Sequence, residues 1–173
     1  MNTANLTTSL TSLMSELVYG AKPKGNFMLN GGDVGLLRAL DELSAAEASQ
    51  IVNDGSSIAA HVDHVAYYIR LMNRWAEGAS MWHSADWTAS WRRTTVDDEA
   101  WKELRRSFAD ELQTWTGVLT QPRDVQDWEC ASMLASIAHL AYHFGAIRQM
   151  NRALRGPSAD HEQEASTSPA PRL

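Results

Sequence analysis

The chain has 173 residues, a net charge of −6, 44% apolar residues and a single cysteine. That length suits one domain whose core needs no disulfide, and the lone Cys130 excludes an intramolecular one and fits a reducing compartment. Lys and Arg are scattered apart from Arg92-Arg93 and Arg105-Arg106, which argues against a nucleic-acid footprint; no apolar run approaches the roughly 20 residues of a membrane span, so neither nucleic acid nor membrane is an expected partner. The segment Met1 to Leu6 carries no Lys or Arg and leads into no continuous apolar stretch. No secretory signal is expected there, and the cytoplasm is the expected location.

Taken in order, Leu10, Leu13, Met14, Leu17 and Val18 recur at steps of three and four and predict an amphipathic helix over 7–18. Gly20, Pro23 and Gly25 end it, and a loop follows to the Gly31-Gly32 turn. A short helix is predicted over 33–43 with Val34, Leu37 and Leu40 inward. Ser44-Ala45-Ala46-Glu47 then has the form of a capping box. Ser56 or Ser57 can cap a second long helix over about 58–76, with Ile58, Val62, Val65, Ile69 and Met72 at helical spacing.

Residues 79–96 have no period but hold Trp82, His83, Trp87 and Trp91. A connection of this length with this aromatic content reads as ordered chain crossing the end of a bundle. Thr95 or Asp97 can cap a third long helix to Leu119, with Asp98 and Glu99 favourably placed at its positive end. After Gln121-Pro122 a fourth helix, the most apolar, is predicted over 125–154 and closed by Gly156-Pro157. The expected domain is 1–156. Residues 157–173 form a Ser-, Ala-, Glu- and Pro-rich tail expected to be disordered. The fold class that follows is all-α, a four-helix bundle with a long connection between its second and third long helices.

His139 and His143, four residues apart on the fourth helix, stack on one face and can hold one metal ion between them. His61 and His64, three apart on the second long helix, are the source of a third nitrogen; the helical period puts His64 with the inward residues and His61 a turn earlier. Three imidazoles and an open position make the pattern of a catalytic metal centre, and they suit Zn²⁺, Ni²⁺ or Fe²⁺. Such an ion lowers the pKa of a bound water or thiol. No Cys-x-x-Cys-His, no paired Glu-x-x-His, no His-Glu-x-x-His, no Gly-x-Ser-x-Gly and no phosphate loop is present. Asp63 is expected to be solvated, Tyr67 and Tyr68 to pack, and Cys130 to be a small buried residue. Trp82, Trp87 and Trp91 are expected to pack, with a pocket wall over the metal as the alternative. His83 and His161 are expected to lie outside the site.

On these residues the chain resembles the DinB/YfiT-like bundles, a superfamily of metal-dependent character. His64-Val65-Ala66 stands where the family has His-Leu-Ala, and His139-Leu140-Ala141-Tyr142-His143-Phe144-Gly145-Ala146-Ile147 where it has His-x-x-x-His-x-Gly-x-Ile. The resemblance covers roughly residues 6 to 155. It implies His64, His139 and His143 as the metal ligands. His61 departs from the family pattern, as an alternative or additional ligand or as a group behind the ligands. By resemblance the activity is a thiol-dependent S-transferase or isomerase, in which the ion activates a low-molecular-weight thiol against an electrophilic small molecule, or hydrolysis by an activated water. The alternative it leaves is a non-catalytic, stress-associated metal- or ligand-binding protein. It also implies a homodimer, for which exposed apolar area on the first or third long helix is the expected surface.

Overall fold

The structure, a computed structural model, describes residues 1–80 and 85–158. Trp82, His83, His161 and all but the first two residues of the 157–173 tail lie outside the described residues. The described chain is all-α: α1 (Thr7–Tyr19), α2 (Gly35–Asp41), α3 (Ala45–Ala48), α4 (Ile58–Ala76), α5 (Asp98–Leu119) and α6 (Asp127–Met150), with 3-10 turns at Ala89–Trp91 and Arg152–Leu154. Extended pairing among the described residues is limited to one bridge, Asn2 to Asp124, where the N-terminus lies against the segment before α6.

The helix starts follow from their caps. Ser44 and Glu47 form the reciprocal capping box, Ser57 Oγ accepts from Ala60 N, and Asp97 Oδ1 accepts from Ala100 N. Each satisfies an amide at a helix start that has no partner within the helix. α6 is shorter than the 125–154 predicted. The Val125 amide donates to Met1 O at 2.8 Å, and Gln126 with Glu129 caps the helix just after it. At the other end Asn151 is extended (φ −127°, ψ 112°), and its side chain accepts from Ala153 N to start the final 3-10 turn.

α4 is the central element, packed against α5, α6 and the Ala89–Trp91 turn, while α1 packs against α2, α5 and α6. α5 buries Trp101, Leu104, Phe108, Leu112, Trp115 and Leu119, a stripe at steps of three and four. Its two buried indoles are satisfied: Trp101 Nε1 donates to Leu43 O and Trp115 Nε1 to Ser136 Oγ, both at 2.8 Å. α4 and α6 run antiparallel where they touch. His61 meets His143, His64 meets His139, Tyr68 reaches Ser132 and Trp75 reaches Glu129.

Two buried carboxylates pin the loop between α1 and α2. Glu16 accepts the amides of Phe27, Met28 and Leu29. Asp33 receives Arg148 Nη2 of α6 at 2.6 and 2.7 Å and the Gly35 amide at 3.0 Å. The loop closes through Gly20 (φ +103°) and Gly35 (φ +76°), whose backbones pass so close that a Cβ on either would overlap the other's segment. Pro157 rests on the same loop, its carbonyl accepting from Asn30 Nδ2 at 2.7 Å.

α6 is apolar on all sides, and by length and composition it is long and apolar enough to cross a membrane, contrary to the reading of run lengths in the sequence. Here its inner face lies in the core through Met133, Ile137, Leu140, Phe144 and Ile147. Its outer face shows Trp128, Leu134 and Tyr142. Further exposed large apolar residues lie around the loop after α1 (Tyr19, Phe27, Met28, Val34) and singly at Met1, Ile51 and Trp87, and none lies on α5.

Candidate metal centre

The antiparallel contact of α4 and α6 brings all four helical histidines together. His139 Nε2 lies 3.2 Å from His64 Nε2 and 2.9 Å from His143 Nε2, so three ring nitrogens converge on one point. These three residues are the group of potential metal ligands among the described residues. Tetrahedral zinc with bonds of 2.0–2.1 Å requires ligand nitrogens about 3.3 Å apart, close to the spacing here. His61 is not in the group. Its Nδ1 lies 2.8 Å from His143 Nδ1, on the side of that ring turned away from the convergence point. The geometry therefore brings His64, His139 and His143 close enough to hold one ion and leaves His61 behind the His143 ring.

The nitrogens at the backs of the rings decide which lone pairs are free. Ser90 Oγ, on the Ala89–Trp91 turn, donates to Trp87 O at 2.7 Å, so it accepts from His64 Nδ1 at 2.8 Å. A proton on Nδ1 leaves His64 Nε2 bare and aimed at its partners. His139 Nδ1 is buried and has no hydrogen-bond partner among the described residues, with Tyr68 packed edge-to-face against the ring at 4.6 Å. Converging bare nitrogens repel unless a proton or a cation lies between them. Three imidazoles at these separations are close enough to hold a divalent ion, which is the fit the metal reading requires.

Burial tunes the same groups. His64 is 7% exposed and His143 3%. Burial first, then the neighbouring His139 and His61, lowers His64 to about 4. Burial and the other three histidines lower His143 to about 3. Burial alone lowers His61 and His139. All four are neutral at pH 7, the form that ligates.

Aromatic rings wall the site. Trp91 stacks on His64 at 4.3 Å and 23°, and stands edge-on to His61 at 5.2 Å. Trp87 lies against Tyr67 and Tyr68 at 5.8 and 6.2 Å. The connection is anchored to deliver them: Tyr67 Oη accepts from Asp86 N at 2.8 Å, and Ser49 Oγ both accepts from Val96 N and donates to Val96 O. Trp87 and Trp91 thus pack as the first of the two expectations has it, Trp91 on His64 and Trp87 on the tyrosines, and Trp82 lies outside the described residues.

Comparison with family models, curated proteins and solved structures found no match to this chain. The site therefore stands on its own geometry. Asp63, expected to be solvated, pairs with Arg93 at 3.6 Å. Tyr68 Oη reaches Ser132 O at 3.4 Å, and Cys130 is buried in the core as expected. Ser90 was not singled out in the sequence. Its only local signal is its position three residues after Trp87, where a hydroxyl can bond back to the chain.

Proposed function

We propose that the chain is a divalent-metal-binding four-helix bundle of the DinB-like type that acts on a small molecule. Its favoured reaction is transfer of a low-molecular-weight thiol to an electrophile, with hydrolysis as the nearest variant. The bundle reading is supported by the four long helices α1, α4, α5 and α6, which share one core. The observation that carries the metal reading is the convergence of His64, His139 and His143 Nε2, with the back nitrogens of His64 and His143 already engaged.

An ion in this set, with three protein ligands and an open position, would lower the pKa of a thiol or water and act as a Lewis acid. The chain's own residues supply the rest. His64, His139 and His143 offer neutral nitrogens, Ser90 holds the His64 tautomer, and Trp91 covers the His64 ring from solvent. Zn²⁺, Ni²⁺ and Fe²⁺ all suit three imidazoles.

A second reading, a non-catalytic metal- or ligand-binding protein, is favoured by one observation. Among the described residues no carboxylate joins the histidines, because Asp63 is turned to Arg93. Metal analysis of protein purified without an affinity tag is the first test. One divalent ion per chain is expected, lost in His139→Ala and His143→Ala; full occupancy in those variants overturns the site. Conjugation of common thiols to electrophiles by the loaded protein then separates the readings. Turnover supports the transferase, and its absence across thiols supports the binding protein.

A further inference from the structure

Resting on the metal reading above, we infer that His61 is not a ligand but the positioning residue of His143. It accepts the His143 Nδ1 proton and thereby holds His143 Nε2 bare and turned toward His64 and His139. The contact itself, Nδ1 to Nδ1 at 2.8 Å, requires that exactly one of the two nitrogens carry a proton.

The direction of that bond follows from the other rings. Ser90 fixes the proton of His64 on Nδ1, so His64 Nε2 is bare. Were His61 the donor, His143 would carry its proton on Nε2 and give it to His139 Nε2 at 2.9 Å. His139 Nε2 would then be bare as well, facing the bare His64 Nε2 across 3.2 Å with nothing between them. With His143 as donor to His61, that repulsion disappears. His64 and His143 both present lone pairs, and His139 Nε2 faces two acceptors that either its own proton or a shared cation satisfies. The same arrangement serves the bound and the free site without turning a ring.

His61 is itself held for this task. It lies three residues before His64 on α4, hence about 60° around the helix and nearly one turn earlier, which sets it behind the His143 ring instead of at the convergence point. Trp91 stands edge-on to it at 5.2 Å, on the same turn that supplies Ser90. One short segment of the connection thus stands behind both ligands that have engaged back nitrogens. Groups that hold the far nitrogen of a metal-bound histidine fix its tautomer and raise its basicity, and their loss costs about 10- to 100-fold in metal affinity.

The test uses Zn²⁺ alone, titrated into the full chain in competition with a chromophoric chelator, and imidazole ¹⁵N spectra of the metal-free protein. His61→Ala is expected to weaken zinc by about 10- to 100-fold. His61→Asn, whose Oδ1 sits where the imidazole Nδ1 was, is expected to recover most of that loss. In wild type the spectrum of His143 is expected to show the Nδ1–H tautomer, and in His61→Ala a mixture. Unchanged zinc affinity in His61→Ala with an unchanged His143 tautomer overturns the inference. A loss as complete as that of His143→Ala, unrelieved by Asn, makes His61 a ligand and also overturns it. Absence of zinc binding by wild type instead rejects the metal reading, while the tautomer spectrum still reports on His61.

Discussion

Ser90 Oγ accepts the Nδ1 proton of His64 at 2.8 Å and passes its own hydrogen to Trp87 O at 2.7 Å. A side chain on the connection between α4 and α5 thereby fixes His64, the candidate ligand that α4 contributes. Ser90→Ala leaves the buried His64 Nδ1 without a partner, at a cost of about 1–3 kcal/mol in stability. The ring is also free to take its other tautomer, and zinc affinity should fall by about tenfold or more. Urea unfolding and a chelator competition measure the two effects; a variant unchanged in both would show that the contact does not hold His64.

The lowered histidines give the metal-free protein a specific acid response. His64 titrates near 4 and His143 near 3 in the folded state, against about 6.5 when unfolded. Between those values the unfolded chain binds more protons, so stability rises with pH across the window. Their contribution is complete above pH 6.5 and is lost as pH falls toward 4 and then 3. Urea midpoints at pH 7 and pH 5, compared between wild type and a His64→Phe/His143→Phe double variant, isolate the effect from carboxylates. Wild type should lose more stability over this interval; equal losses contradict the assignment.

Asp33 and Arg148 form an ion pair whose side chains are 2% and 16% exposed. The Arg148 guanidinium also lies over the Phe144 ring at 3.8 Å, next to His143. Arg148→Ala strands the buried Asp33 carboxylate and should cost about 3–5 kcal/mol, whereas removing both partners with apolar replacements should cost less. Thermal unfolding of the single and double variants checks the ordering.

Gly145 lies on the outer side of α6, and a Cβ added there meets nothing within 4 Å. Within this chain the residue is therefore free to change, and Gly145→Ala should stabilise the helix by about 1 kcal/mol. A loss of stability on dilution-independent unfolding would contradict that packing.

The sequence and the structure agree where the information is local or periodic. The spacing in α5 and the caps at Ser44, Ser57 and Asp97 are signals read within one or two turns. That a histidine of α4 meets His139 and His143 is legible because a helix period says which residues share a face and a bundle brings two such faces together; the choice of His64 over His61 rests on the family resemblance. What the period could not supply is which nitrogen faces which. His61 is only about 60° from His64 around the helix, and whether it joins the ion or backs a ligand depends on the offset between α4 and α6. Ser90 lies in a segment without a period, so its approach to His64 is a tertiary fact. The same holds for Val125, whose amide is taken by Met1 and so delays the start of α6, and for the Asp33–Arg148 pair, whose members are remote in the chain.

Zinc K-edge X-ray absorption on untagged protein loaded with one equivalent of Zn²⁺ tests the central claim most directly. Three imidazole nitrogens at about 2.0–2.1 Å, with the multiple-scattering pattern of histidine, are predicted, falling to two in His139→Ala. An oxygen-only shell, or an imidazole shell unchanged by that substitution, would contradict a centre built from His64, His139 and His143.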